Sequence, residues 1–382
     1  MKRLKKSAAK RAILLAGASV CIGTFAQPAL AQTAPAQSDA TTVETNGQGQ
    51  GLADIVVTAQ RREQSLQKVP ISVAALSSDM IRSAGITNTE SLQVAIPSLT
   101  VTRITASTQF FIRGVGTAGG QAGQEGAVAT FLDGVYLPSM NASTFALGNV
   151  ERIEVLKGPQ GTLYGRNATA GAVNVITRDP KATPEMQFDI GYGNLETVEA
   201  STYATMGVAT NLAVDFTAYY LDQGEGFGRN IALDNDTNKR RDIVLSSKLL
   251  FDDNVNRASL YAGYTKSSGS LGMAQRPIGT TIGFLTGVPG WNHSFYDINS
   301  DVDQRSSVAT KVFIGDLQHD FGGFSLKSIS GYIDSDSFQS GDLDLQPLPV
   351  IAFPMTQTDK QFTLELQVAS SSDSKINWIG GL

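Results

Sequence analysis

The sequence predicts a small α+β domain followed by an antiparallel transmembrane β-barrel, here incomplete. Three observations lead there. After Pro180, apolar and polar residues alternate with period two through nine segments, which marks strands with one apolar and one wet face. The connections between them are alternately short and long, as in barrels whose long loops all lie on one side. Beyond the first 31 residues there is no run of about 20 apolar residues, which excludes a helical crossing. With 41% hydrophobic residues, 38 glycines and only 17% charged residues, the composition looks soluble, because alternating strands average their hydropathy away.

The chain opens on Lys2, Arg3, Lys5, Lys6, Lys10 and Arg11, then an apolar stretch from Ala12 to Phe25, then Ala29-Leu30-Ala31. Residues 1–31 therefore read as a secretory signal cleaved after Ala31. The stretch is too short for an anchor, and Cys21 lies inside it rather than at a lipidation site. Removing the six basic residues of this leader takes the formal charge from −5 to −11, so nucleic acid is a poor partner. The one cysteine leaves with the leader, and His293 and His319 are the only histidines. No disulfide framework, Cys/His metal cluster or bound cofactor is expected, so any metal such a protein handles must arrive already chelated.

Residues 32–53 are rich in Gln, Thr, Ala, Ser and Gly and read as a flexible tether. Asp54, Ile55, Val56, Val57, Thr58 and Ala59 then form a short β-prone run. It reads equally as an ordinary first strand or as a segment that pairs with another chain. From Val69 the pattern gives a strand at 71–75, a helix from Ser78 to Ala84 capped by Ser77 and ended by Gly85, and a second from Thr89 to Ala95 capped by Asn88. Strands at 99–102 and 109–113 follow. Gly114 to Gly119 matches a dinucleotide fingerprint, but the three glycines within 120–127 replace the helix that would hold a pyrophosphate. A glycine-rich loop passing close to a wall is the better reading.

Residues 150–180 form a β-loop-β unit, with strand-like runs at 153–156 and 172–177 around a loop of Gly, Pro and Asn. Glu151, Arg152, Glu154, Lys157, Arg166 and Arg178 alternate with apolar residues, which predicts one apolar and one charged face. The nine strand candidates of the barrel are 185–193, 197–207, 212–222, 241–251, 257–266, 307–319, 323–335, 360–369 and 376–382. A soluble sandwich alternates in the same way. The connections decide for the barrel: 208–211, 252–256, 320–322 and 370–375 are short, whereas 223–240, 267–306 and 336–359 are long. Only the hairpin at 193–196 departs from this order. Tyr192, Tyr219, Tyr220, Tyr261, Tyr264, Tyr332 and Trp378 fall near strand ends, where an aromatic girdle belongs. Nine strands leave an open edge, so further strands are expected beyond Leu382.

Residues 150–180, together with Ile112-Arg113-Gly114 and Phe131-Leu132-Asp133-Gly134-Val135-Tyr136 in that order, closely resemble the plug domain of TonB-dependent outer-membrane receptors. The resemblance implies a plug at 54–180, with Gly114, Asp133, Gly134, Glu151, Arg152, Glu154, Gly158, Pro159, Gly165, Gly171 and Asn174 as its motif residues. It places the plug inside a barrel whose N-terminal part is 185–382, out of about 22 strands in such receptors. Residues 54–59 take the position of the TonB box, which pairs with TonB of the inner-membrane energy-coupling complex. Arg113 and Lys157 are implied to latch onto barrel glutamates, with Glu365 as one of them, although a lysine lacks an arginine's two-pronged geometry. Glu365 could equally point into a wet lumen.

The expected function is uptake of a scarce small molecule across the outer membrane, with the tether in the periplasm. A ferric siderophore is the family default. Trp291, His293, Phe295 and Tyr296 in the longest loop are the candidates for ligand contact. The alternatives are a signal-transducing receptor and a secreted hydrolase. The first needs a domain of at least about 50 residues before the box, where only about 22 separate it from the cleavage point. The second needs a catalytic constellation, and no Gly-x-Ser-x-Gly or His-Glu-x-x-His is present.

Overall fold

The computed structural model describes residues 56–382, apart from 59–60, 63, 87, 105–106, 120–122, 142–148, 271–293, 295, 345–346 and 372–373. The first elements are a two-residue ladder, β1 (Val56–Val57) with β2 (Gln64–Ser65), then β3 (Val73–Ser77) leading directly into helix α1 (Ser78–Ser83). The Ser77 hydroxyl accepts the Met80 amide at 3.4 Å, and Gly85 leaves the helix with φ +63°. The second predicted helix is shorter, α2 (Leu92–Ala95), because Asn88 closes a turn on the Ser91 amide before it. Next come β4 (Leu99–Ile104), β5 (Ser107–Ile112), β6 (Val115–Gly116), β7 (Glu125–Leu132), β8 (Val135–Ser139), β9 (Val150–Lys157), helix α3 (Gly161–Tyr164) and β10 (Gly171–Thr177). The next described element after the glycine-rich stretch at 114–119 is thus a strand.

Five of these strands make one sheet in the order β3, β9, β10, β7, β8, and β4, β5 and β6 make a smaller one. β9 and β10 pair antiparallel with Lys157 opposite Gly171, while β10 and β7 run parallel. The Gly171 position tolerates no side chain: φ is +148°, and a Cβ would lie 2.2 Å from the Leu156 carbonyl oxygen.

The remainder is a nine-stranded antiparallel sheet in sequence order: β11 (Glu185–Gly193), β12 (Thr197–Ala209), β13 (Leu212–Gln223), β16 (Arg241–Asp252), β17 (Asn256–Ser270), β18 (Arg305–Asp320), β19 (Phe324–Asp342), β20 (Ala352–Ser370) and β21 (Ile379–Gly381). A small hairpin of β14 (Gly228–Asn230) and β15 (Asn235–Thr237) stands in the connection after β13. The alternation is real. Met186, Phe188, Ile190, Phe216, Phe362 and Leu364 are exposed on the outward face, where lipid would cover them. On the inward face, Val312, Ile314, Ile329 and Ile333 share a core with Val128, Leu132, Val135 and Leu137 of the plug.

The structure corrects three sequence expectations. β19 and β20 have 19 residues each, so most of the connection expected at 336–359 is strand. At about 3.4 Å per residue such strands far exceed the apolar band of an outer membrane, about 25 Å tall. Beyond the band both faces are wet, and pairing such as Asp336 with Thr358 persists without an apolar stripe to reveal it. Tyr219 and Tyr261 do not join an outer girdle. Tyr219 is buried on the inward face and Tyr261 packs against the plug core. The close approach to the wall is made by Gly134, at φ +86°, where a Cβ would stand 3.1 Å from Ile329 Cδ1. Gly331 answers from the wall, since a Cβ there would stand 2.5 Å from Val135 Cγ1.

Candidate functional site

The middle of β9 carries Glu154, whose side chain is fully buried. A bare carboxylate in such a place is costly and demands partners. It takes the Thr58 amide at 2.8 Å and Arg152 Nε at 2.9 Å, and Thr58 Oγ1 donates at 3.1 Å. Asn174, beside it on β10, adds a longer contact at 3.4 Å and donates to the Tyr164 hydroxyl at 3.0 Å. That hydroxyl in turn donates to the Thr58 carbonyl at 3.2 Å. Both backbone groups of Thr58 are therefore held by plug side chains. Burial, with the Glu154 and Glu365 charges adding to it, pushes the Tyr164 phenol up to about 12 against the lowering by Asn174 and Arg61, so it stays protonated as this donor.

Val57 is fully buried among Ala75, Ala129, Phe131, Leu156 and Tyr164, while Val56 next to it is exposed. The expected box thus lies docked through Val57 and Thr58. Asp54, Ile55 and Ala59 lie outside the described residues.

The residues just past the box reach the wall. The Arg61 guanidinium stacks 5.0 Å from the Phe131 ring centre and 4.7 Å from that of Tyr164, and its Nε donates to the Leu163 carbonyl. Its Nη1 stands 3.6 Å from Glu365 Oε2. Arg62 donates to Ser370 Oγ at 3.1 Å and to the Trp378 carbonyl. The expected latch is therefore corrected: Glu365 meets the plug, but through Arg61. Arg113, exposed in the turn between β5 and β6 at φ +54°, gives its guanidinium hydrogen to Ser72 Oγ at 3.2 Å. Lys157 is engaged through its backbone amide, also to Ser72. Ser72 immediately precedes β3, so the Arg113 side chain and the Lys157 backbone both bond within the plug.

A second charged cluster joins plug and wall with the opposite polarity. Asp133, at φ +46° in the turn between β7 and β8, accepts the Thr177 amide at 2.8 Å and its hydroxyl at 2.5 Å, clamping that turn to the end of β10. Lys248 of β16, with 6% of its side chain exposed, brings Nζ to 3.3 Å from Asp133 and 3.4 Å from Asp179. It also donates to the Thr177 carbonyl at 3.3 Å. Arg257 of β17 closes on Asp179 from the other side. Burial tends to raise Asp179, but Lys248 and Arg257 beside it hold the carboxyl below its ordinary value.

The other motif residues are scaffolding. Gly158 and Gln160 close the loop after β9 through Ala170 and Ala168, and Gly165 ends α3 at φ +77° beyond the exposed Pro159. Gly114, at φ +79°, completes the turn with Arg113. Glu151 is exposed and Glu154 is covered, and three residues apart on β9 they point to opposite faces, so the expected single charged face is not formed.

Sequence reasoning missed Arg61, Arg62, Tyr164, Asp179, Lys248 and Arg257. Only the Arg61-Arg62 pair directly after the box carried a signal that could have found it. Of the ligand-loop candidates, Trp291, His293 and Phe295 lie outside the described residues. Tyr296 is half exposed, with its ring centre 6.2 Å from that of Phe227. A cavity of about 840 Å³ separates plug from wall, lined among others by Arg62, Arg152, Asp316, Lys327 and Gln367.

Comparison with known proteins agrees with this architecture. Residues 65–172 match the family model of the TonB-dependent receptor plug domain. The pesticin receptor of Yersinia enterocolitica is 30% identical over 170 residues, 43% of this chain and 23% of that protein. The vitamin B12 transporter BtuB of Vibrio vulnificus is 30% identical over 180 residues, 45% of this chain and 28% of that protein. Among solved structures, the ferric yersiniabactin uptake receptor FyuA from Yersinia pestis superposes with a TM-score of 0.67 at 21% identity, over 81% of this chain and 47% of that one. The ferripyoverdine receptor of Pseudomonas aeruginosa gives 0.68 at 16% identity, over 82% and 42%. The chain spans less than half the length of these proteins.

Proposed function

We propose that the chain is a TonB-dependent receptor of the outer membrane, as the plug-domain match over residues 65–172 supports, and that it serves active uptake of a scarce solute, with TonB drawing on residues 54–59. The observation that carries this reading is the docked but separable box. Thr58 is held by hydrogen bonds alone, Val57 by one buried side chain, and Val56 is exposed. A partner chain can capture such a segment by main-chain pairing. No covalent step is involved, and the work is done by a pull from the inner membrane.

A ferric siderophore or similar chelate is the solute class we favour, with iron arriving already chelated. Support comes from an iron-regulated outer membrane virulence protein of Vibrio cholerae that is 31% identical over 135 residues. Val56→Pro in the full-length parent protein tests the coupling. Val56 pairs with Ser65 in β1, and proline removes the amide and fixes φ. Growth on a panel of ferric siderophores under iron limitation, with cobalamin in parallel, should be lost while binding of the same compounds to whole cells persists. Normal growth of the variant would show that this segment does not couple.

A further inference from the structure

We propose that Lys248 is the positioning residue that keeps the plug moored to the barrel wall while the box side is pulled, so that the plug opens from one side only. The inference rests on the transport reading, since it concerns what yields when TonB pulls. Lys248 is one of the most buried cations among the described residues, with 6% of its side chain exposed although it belongs to the lining of the cavity between plug and wall. Its ammonium has three donors, and three oxygens surround it: Asp133 Oδ2, Asp179 Oδ1 and the Thr177 carbonyl, at 3.3, 3.4 and 3.3 Å. All three belong to the plug or to the segment that leaves it for β11. The strand that carries Lys248 is itself fixed at that point, because the Lys248 amide donates to Asp215 Oδ1 at 2.7 Å. Asn149, just before β9, holds the other oxygen of Asp215 at 3.3 Å.

The mooring grips the plug where its sheet is most tightly tied. Asp133 joins the turn after β7 to the end of β10, and β10 is the strand that pairs with both β7 and β9. Gly134 rests against Ile329 and Val135 against Gly331 beside it. A force on Thr58 acts first on Glu154, Tyr164 and the Arg61 to Glu365 pair, on the neighbouring part of the same sheet, where Asn174 lies between Glu154 and Phe131. The load enters at Thr58, so these contacts bear it before those of Asp133 do, and the Arg61 to Glu365 pair, at 3.6 Å, is the longest of them. The part lined by Asp133, Thr177 and Asp179 stays on β16 and β17.

The test uses the full-length parent protein in outer membranes of cells with and without TonB, and reads entry of vancomycin, a solute too large for ordinary porins. Lys248→Gln leaves Asp133 without its buried cation, and vancomycin entry should rise about tenfold when TonB is present and hardly at all when it is absent. Lys248→Arg, which keeps the charge, should restore most of the barrier. Equal leakage with and without TonB would mean that Lys248 serves folding alone, and no leakage in either would mean that it moors nothing; either result overturns the proposal. If Lys248→Gln fails to assemble, as judged by loss of heat-modifiable migration, Asp133→Asn removes the same pairing from the plug side and should show the same TonB-dependent leak. Adding Val56→Pro should abolish the leak. A leak that is TonB-dependent yet survives this change would keep the mooring and move the point of coupling away from the box.

Discussion

Next to the box an arginine of the plug reaches out to a glutamate of the wall, and at the turn after β7 a lysine of the wall reaches in to an aspartate of the plug. Arg61 and Glu365 stand 3.6 Å apart with 13% and 34% of their side chains exposed, whereas Lys248 and Asp133 stand 3.3 Å apart with 6% and 14% exposed. Charge pairs that water reaches contribute about 0 to 1 kcal/mol. Breaking a buried pair by removing one partner costs about 3 to 5 kcal/mol, because the remaining charge is stranded. Removing one partner should therefore cost more at the Lys248 pair than at the Arg61 pair, because the charge left behind is the more deeply buried one. A device that must release one edge and keep the other is served by that asymmetry.

The largest effect expected on the box side comes from Glu154→Gln. The carboxylate holds Thr58 and Arg152 in a dry site, so loss of its charge should cost about 1 to 3 kcal/mol locally. Trypsin cleavage after Arg61 or Arg62, both clamped in the resting protein, should become about tenfold faster or more where it tracks the open population. Glu365→Gln should speed the same cleavage only about two- to fivefold. If Glu365→Gln equals or exceeds Glu154→Gln, the box is held by the wall rather than by the plug.

The smallest effect concerns pH at the Lys248 side. Asp179 faces Lys248 and Arg257, with Asp133 and Asp215 also near Lys248. Its carboxyl is held below the ordinary value, so the stability it contributes is fully present above the unfolded value of about 3.9 and fades as pH falls through the folded one. Melting of the purified full-length protein should therefore show no Asp179 contribution to pH dependence between pH 7 and 5. A loss of less than about 1 kcal/mol is expected below pH 4, since the group is half exposed. Asp179→Asn should remove that loss, and an unchanged acid profile in this variant would assign it to other carboxylates.

The wall was legible because lipid enforces alternation: nine strands were read where nine pair, and Met186 to Tyr192 or Phe362 to Leu366 could face no other way. Legibility ended where the apolar stripe ended, which is why β19 and β20 run on past their expected ends. Inside the plug the period of β9 showed that Glu154 differs from its neighbours, but a period cannot tell a wet face from a covered one. What covers Glu154 is Thr58, 96 residues earlier in the chain. Lys248 was unreadable for the same reason. It lies on an inward row with Ser246 and Leu250, where a cation is ordinary if the lumen is wet. Only the fold brings Asp133 and Asp179 to it. The latch inferred from resemblance named Glu365, which meets the plug through Arg61, because the segment after the box, rather than the turn at Arg113, lies beside it.

The most direct test of this account is amide hydrogen exchange in the full-length parent protein, measured with and without the periplasmic fragment of TonB. The amides of Thr58 and Arg61, bonded to Glu154 and to the Thr58 carbonyl, should lose protection on addition of the fragment, while those of Asp133 and Thr177, bonded to the Val175 carbonyl and the Asp133 carboxylate, should keep theirs. Loss of protection at Asp133 and Thr177 together with Thr58, or before it, would contradict a plug that is moored at Lys248 and opens from the box.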